Sequence, residues 1–255
     1  IFIGAYGHET ALRRKQKSPD DEHLADLLDA VAQIDGLMRL RISSMEPGDV
    51  TLALLDAIVA NQEVVVPHLH LPLQSGSDAV LKKMNRQYTI SQYMEMIAMV
   101  NDRLTIDGLP PAITTDIICG FPTETEEDFI HTMSIASKVG YLHMHIFPYS
   151  VRSGTSAARW KQLPPVVLKE RVNRLIALDT NLSLAYRNLL VGKTVEVMVE
   201  QACNEPGFMK GRCEHYAEIS LQTKASAGSI VEARVTQALG TRTVAKPALQ
   251  ILNNS

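Results

Sequence analysis

Residues 68–86 read HLHLPLQSGSDAVLKKMNR, an alternating strand with His68 and His70 in phase, then a polar turn, then a helix start at Ser77. Three further runs repeat this plan. In MRLRIS (38–43), Met38, Leu40 and Ile42 alternate with Arg39, Arg41 and Ser43. In AITTDIIC (112–119), Ile113, Thr115, Ile117 and Cys119 alternate with Thr114, Asp116 and Ile118. In LHMHIF (142–147), Leu142, Met144 and Ile146 alternate with His143, His145 and Phe147. Helical patterns fill the gaps at 21–34, 50–60, 77–84, 89–104 and 125–139.

Strand and helix in alternation define a parallel sheet with right-handed crossovers. One face of each strand is apolar and suits the helices, whereas the other carries Arg, His, Thr and Asp. A closed eight-stranded barrel fills its lumen with branched apolar side chains, so this polar face predicts an open, partial barrel around a wet cavity. Reactive groups then belong at the C-terminal strand ends, in GAYG (4–7), SSMEP (43–47), PLQSGS (72–77), GFPTET (120–125) and FPYS (147–150).

Beyond Ser150 the loop VRSGTSAARWKQLPP leads to a long helix over about 166–190. The composition then changes to five short strands: KTVEVMVE, MKGRCE, YAEISLQ, SIVEARVTQAL and TRTVAKP, which predict a small β-barrel. The expected organisation is therefore an α/β domain over 1–150, a connecting loop and helix over 151–190, and an all-β barrel over 191–255.

The bulk numbers describe an ordinary globular protein of 255 residues, 45% hydrophobic and 21% charged. No run approaches the roughly 20 apolar residues of a membrane span, and no signal peptide is recognisable. Three scattered cysteines (Cys119, Cys203, Cys213) fit a reducing cytoplasm better than a disulfide framework. The chain opens Ile1-Phe2-Ile3, as if in the last residues of a strand, which reads as a piece of a longer protein. Net charge is −3 but uneven: residues 152–190 hold 7 Lys and Arg against 2 Asp and Glu, a local excess of +5. Such a stripe fits a polyanion or a solvated helix face.

Several groups could carry chemistry. Glu124, Glu126, Glu127 and Asp128 crowd a helix start capped by Thr125; this turn repels phosphate and suits a positively charged ligand. His68 and His70, with His143, His145 and Asp116, form a pattern that a zinc-dependent barrel hydrolase would use, or else histidines that satisfy internal hydrogen bonds. Ser43, Ser44 and Glu46 suit ribose hydroxyls or an amino group, or cap the next helix. Gln74 and Ser75 stand beside Gly76, with Ser77 as cap and Asp78 in the first turn. Tyr149, Arg152, Arg159, Trp160 and Lys161 mix aromatics with cations, as single-stranded nucleic-acid sites do.

Taken together, GAYG, LRISSMEP, HLHLPLQSGSDAVLKKMNR, ITTDIICGFPTETEEDF, HIFPYSVRSGT and VGKTVEVMVE resemble the radical S-adenosylmethionine methylthiotransferases over nearly the whole chain. The C-terminal 60 or so residues resemble the TRAM domain, a small RNA-binding barrel. SSMEP resembles the branch acting on threonylcarbamoyladenosine in tRNA; the isopentenyladenosine and ribosomal-protein branches usually read differently there. The resemblance implies a radical SAM partial (β/α) barrel, S-adenosylmethionine, tRNA as partner, and two 4Fe-4S clusters in the full-length protein. One of those clusters sits on a CxxxCxxC loop, and it cleaves the cofactor to a radical that takes hydrogen from the adenosine C2.

Neither cysteine set occurs here, so the chain alone is expected to be catalytically incompetent, and no catalytic or metal-binding residue is assigned. Under the resemblance Gln74, Ser75, Ser43, Ser44, Glu46 and Asp116 belong to the cofactor, while Tyr149, Arg152, Lys210 and Arg212 belong to the RNA. His68 and His70 line the lumen. Position 123 is Thr where the family often has Gly. Isopentenyladenosine tRNA, a ribosomal protein, or a zinc-dependent hydrolysis by His68, His70 and Asp116 remain the alternatives.

Overall fold

In the computed structural model, residues 23–248 together with Ile3 and Tyr6 are described. Apart from Ile3 and Tyr6, the strand expected at 1–3 and the GAYG turn lie outside the described residues. The chain divides into two compact units, Ile1–Asp179 and Thr180–Ser255.

The first unit alternates as its periodicity requires: α1 (His23–Ala32), β1 (Leu40–Ile42), α2 (Leu52–Ala60), β2 (Val65–His70), α3 (Asp78–Lys83), α4 (Ile90–Leu104), β3 (Ala112–Cys119), α5 (Glu126–Val139) and β4 (His143–Pro148). The four strands are parallel in the order β1-β2-β3-β4. Short hydroxyl residues start the helices: Thr51, Ser77, Thr89 and Thr125 each accept a backbone N–H of the first turn, and Thr89 and Thr125 complete capping boxes with Gln92 and Asp128. Gly140 ends α5 at φ 73°, a left-handed cap.

β1 is three residues long where alternation predicted six. The β1–β2 ladder is irregular, jumping from Leu40↔Val65 to Ile42↔Leu69. Ser44 then turns to φ 63°, which ends the strand.

The apolar face packs as expected, with Leu69, Ile117 and Met144 buried against the helices. Buried polar groups there are satisfied: Tyr93 donates to Leu71 O (2.8 Å) and shares a bond with the Tyr141 hydroxyl (2.8 Å). The polar face is wet only in part. Val66, His68 and Thr114 are buried, and the face opens from His70 and Asp116 onward, because His68 Nε2 and Thr114 Oγ1 satisfy each other at 3.0 Å. The cavity is thereby confined to the C-terminal strand ends.

The long helix α6 (Pro165–Leu189) contains the unit boundary. In the second unit β5 (Thr194–Ala202), β6 (Phe208–Cys213), β7 (Glu218–Gln222), β8 (Ile230–Leu239) and β9 (Arg242–Pro247) close into a barrel ordered β5-β6-β7-β9-β8. Val195, Val197, Val199, Ile219, Leu221 and Val235 fill it. At Gly211 a Cβ would collide with the β5 backbone around Met198 and Val199, so the close strand crossing there requires glycine. Buried Arg187 donates to Leu239 O (2.9 Å), Thr243 Oγ1 (3.1 Å) and Gly240 O, binding the end of α6 to the β8–β9 turn. Among the described residues no helix is long and apolar enough to cross a membrane.

Candidate functional site

The loop after β2 runs alongside β3 instead of turning away. Gln74 N–H donates to Asp116 O (2.8 Å), Ile118 N–H donates to Gln74 O (2.9 Å), and Gln74 holds φ 61°. This left-handed position lifts the chain towards α3 and leaves Gln74 in the wall of a cavity of 680 Å³. Behind it the loop is closely packed. Gly76 N–H donates to Thr132 Oγ1 (2.9 Å), and a Cβ at Gly76 would fall 2.8 Å from Thr132 N.

Three sources complete the cavity. Asp116 and Ile118 come from β3. Lys83 and Arg86 come from the end of α3 and the turn after it, and Phe121, Tyr149, Arg152 and Trp160 from the loops after β3 and β4. The aromatic wall is built edge to face: Phe121 lies 5.3 Å from Tyr149 and 6.0 Å from Trp160 between ring centroids, at 80° and 84°. Among the charged side chains of the wall, Lys83, Arg86 and Arg152 face Asp116 alone. Gln74, Asp116, Tyr149 and Arg152, expected to serve two different ligands, thus share one cavity. Lys83 and Arg86 were not anticipated; as two of the basic residues in LKKMNR, their only sequence signal was their place beside PLQSGS.

The remaining expected residues stand elsewhere. Ser75 is fully buried and its hydroxyl accepts the Ser77 N–H (3.3 Å), a structural position. Ser43, Ser44 and Glu46 are outside the cavity lining. Glu46 lies 3.4 Å from Arg86 of the cavity wall, while Asp49 Oδ2 accepts its N–H. Lys210 and Arg212 lie on β6 of the second unit. Lys210 is 3.6 Å from Glu218; Arg212 is 3.8 Å from Glu200 and stacks 4.4 Å over Tyr216.

In the acidic turn Glu124, Glu126 and Asp128 are already engaged by side chains of this chain. Glu124 is buried, accepts Gly120 N–H (3.1 Å) and pairs with Arg171 (2.7 Å). Glu126 is bound by Arg171 (3.1 Å) and Arg174 (2.7 Å), and Asp128 accepts the Ser77 hydroxyl (2.5 Å) as well as capping α5. Arginines more than 40 residues downstream consume the charge, which local sequence could not reveal. Thr123 holds φ 75°, a left-handed backbone that glycine adopts without penalty, and its hydroxyl accepts from Lys83 (2.6 Å).

The histidines regroup. His68 is drawn into the packed half of the sheet by Thr114, so the expected set of His68, His70 and Asp116 does not converge. His70, Asp116 and His145 do, with ligand atoms all within 4.8 Å of one another. The parallel register places Asp116 beside His145 and Thr114 beside His70. Burial, helped by neighbouring His143, holds His145 below the ordinary histidine pKa.

A thiolate-bound cluster does not fit this chain's own residues. Cys119 is buried and its thiol is pushed up to about 12, mainly by burial, while Cys203 and Cys213 belong to the barrel.

The profile of the radical SAM superfamily matches residues 9–136. The chain belongs to this superfamily, and curated proteins that it resembles are tRNA methylthiotransferases. A tRNA-2-methylthio-N(6)-dimethylallyladenosine synthase of Cereibacter sphaeroides is 39% identical over 220 residues, covering 86% of this chain and 49% of that protein. The threonylcarbamoyladenosine tRNA methylthiotransferase MtaB of Bacillus subtilis is 34% identical over 244 residues, covering 93% of this chain and 51% of that protein. The chain thus spans about half the length of the curated relatives it matches. Coproporphyrinogen III oxidase of Escherichia coli, a radical SAM enzyme, aligns at TM-score 0.49 and 14% identity over 83% of this chain and 50% of that one.

Proposed function

We propose that the chain is the substrate-binding portion of a cytoplasmic tRNA methylthiotransferase, which places a methylthio group on C2 of a hypermodified adenosine beside the anticodon. The observation that carries this reading is the 680 Å³ cavity, in which an aromatic wall faces three cationic side chains at the strand ends of a radical SAM sheet. Tyr149 and Trp160 offer faces on which a base stacks. Arg152 and Lys83 offer charge-assisted hydrogen bonds to an anionic substituent. A threonylcarbamoyl group carries a carboxylate, whereas a dimethylallyl group is neutral and apolar, so the charge favours the former. The SSMEP segment and the resemblance to MtaB over 93% of the chain agree with it.

S-adenosylmethionine is the proposed cofactor, with Gln74 and Asp116 as hydrogen-bonding groups for its polar ends. Ser43, Ser44, Glu46 and Ser75 would support that site from outside the wall. The thiolates for the two proposed 4Fe-4S clusters would come from outside these 255 residues, and the residues present here bind and orient. The second unit, as a TRAM-like barrel, would hold the tRNA backbone through Lys210 and Arg212.

The second reading, dimethylallyladenosine as substrate, is favoured by the 39% identity to the Cereibacter enzyme. Anisotropy titrations with anticodon stem-loops carrying threonylcarbamoyladenosine, dimethylallyladenosine or plain adenosine separate the two. The first RNA should bind on the order of tenfold tighter, about 1.4 kcal/mol, and Arg152→Ala should remove that preference. Preference for the dimethylallyl RNA would establish the second reading, and no discrimination among the three would overturn both.

A further inference from the structure

The His70, Asp116 and His145 group shares Asp116 with the cavity wall, whereas its two histidines stand outside the lining, and the adenosine reading leaves both histidines unused. Its geometry is that of two imidazoles and one carboxylate converging from three adjacent parallel strands. His70 Nε2 already lies 3.3 Å from Asp116 Oδ1. Zinc with ligand bonds of about 2.0–2.2 Å keeps tetrahedral ligands about 3.3–3.5 Å apart. Two of the three donors therefore stand at ligand spacing, and a ring nitrogen of His145 on the edge strand β4 lies within 4.8 Å of both.

The surroundings orient His70. Thr114 Oγ1 is 3.0 Å from both His68 Nε2 and His70 Nδ1. A single hydroxyl hydrogen serves only one of the two rings, so the other must donate its own N–H. When Thr114 donates to His68 and accepts from His70 Nδ1–H, the His70 Nε2 lone pair points at the Asp116 carboxylate. Two electron-rich atoms at 3.3 Å then call for a cation between them. In the opposite arrangement the Nε2 proton fills that place. This ring held through its far nitrogen, beside a carboxylate, is the arrangement that fixes metal-binding histidines.

We infer that His70, Asp116 and His145 form a binding site for one first-row divalent transition-metal ion, with at least one coordination position left for water or an exchangeable oxygen ligand. Two imidazoles and one carboxylate select zinc, cobalt, iron or nickel over magnesium and calcium. Asp116 also belongs to the cavity wall, so the ion's exchangeable ligand is drawn from the cavity's contents. The site is distinct from any thiolate-bound cluster and does not depend on the choice of modified adenosine.

The test is titration of the purified 255-residue chain, stripped with chelator, with Co²⁺ under visible absorption, followed by displacement with Zn²⁺. One saturating equivalent with a four- or five-coordinate spectrum is expected, and Zn²⁺ should abolish that spectrum. His145→Ala and the His70→Ala/His145→Ala pair should each lose binding by roughly 100-fold or more. Thr114→Val, which removes only the orienting hydroxyl, should lose 10–100-fold, the range for outer partners. His131→Ala, on α5, should bind as the parent does, and circular dichroism of each variant establishes that it is folded. Absence of saturable uptake by the parent chain overturns the site, as does uptake retained by the folded double variant. Anomalous scattering at the zinc edge from soaked crystals must put the ion among these three side chains; an ion located elsewhere also overturns it.

Discussion

Arg171 Nη1 lies 2.7 Å from Glu124 Oε2, with the two side chains only 5% and 2% exposed. The same guanidinium also reaches Glu124 O (3.2 Å) and Glu126 (3.1 Å), so α6 is bound to the turn that leads from β3 into α5. Burial, the larger influence, raises the Glu124 carboxyl above the ordinary glutamate value even with Arg171 alongside. Such a pair contributes little net stability, yet removing one partner leaves an uncompensated buried charge. Arg171→Met should therefore cost about 3–5 kcal/mol in urea unfolding. Adding Glu124→Gln should recover a large part of that loss; a double variant no more stable than the single one would show that the carboxylate was not the source of the penalty.

Gly76 is where the loop behind Gln74 touches α5. A Cβ there would fall 2.8 Å from Thr132 N and 2.9 Å from His131 O, and neither backbone atom can swing aside. Gly76→Ala should destabilise the chain by about 1–3 kcal/mol and weaken RNA binding by shifting the cavity wall that Gln74 shares with Tyr149 and Arg152. Thermal unfolding measures the first effect and anisotropy the second; an unchanged melting temperature would show that the loop gives way freely.

Thr123 adopts φ 75°, which costs a residue with a branched side chain of order 1 kcal/mol or more. Thr123→Gly removes the strain and one exposed hydrogen bond from Lys83. The expected outcome is a gain of about 0.5–1 kcal/mol in urea unfolding. A loss of that size would assign the position's value to the Lys83 contact instead.

Much of this was legible from alternation alone. MRLRIS, the strand carrying His68 and His70, AITTDIIC and LHMHIF became the four parallel strands, and Ser77, Thr89 and Thr125 mark helix starts because short hydroxyls satisfy first-turn N–H groups. What escaped was set by partners distant in sequence. The acidic turn looked like a cation receptor because Arg171 and Arg174 arrive from a helix beginning some forty residues later. Ser75 looked like a ligand because its burial depends on how closely α5 approaches the Gly76 loop. His68 and His70 looked equivalent until Thr114 of the neighbouring strand drew one into the packed half and left the other at the opening.

His215 is buried in the second unit, its Nδ1 sharing a 2.9 Å hydrogen bond with the Tyr186 hydroxyl. Burial, with the nearby Lys193 charge, lowers its pKa to about 4, below the 6.5 of an unfolded histidine. The unfolded chain therefore binds the proton more readily. This contribution is complete above about pH 6.5 and is lost as pH falls through about 4, roughly 3 kcal/mol in all. Unfolding midpoints of the parent should drop steadily over that window, and those of His215→Gln should drop less by this amount. Parallel pH profiles for the two proteins would place the proton uptake at another group.

Lys210 and Arg212 share β6 with opposite charges close by: Glu218 lies 3.6 Å from Lys210, and Glu200 lies 3.8 Å from Arg212. Exposed pairs of this kind are worth little, about 0–1 kcal/mol, so both cations can be redirected to phosphates at small cost. If this barrel face holds the tRNA backbone, Lys210→Ala together with Arg212→Ala should weaken binding and reduce the slope of log K against log salt by about 0.7–0.9 per lost phosphate contact. Folding should be nearly unaffected, because neither side chain is in the barrel interior. Anisotropy titrations from low to moderate salt give the slope directly. A weaker affinity at unchanged slope would mean that the two residues act through shape or through the Arg212 stack on Tyr216, and an unchanged affinity would remove β6 from the RNA-binding surface.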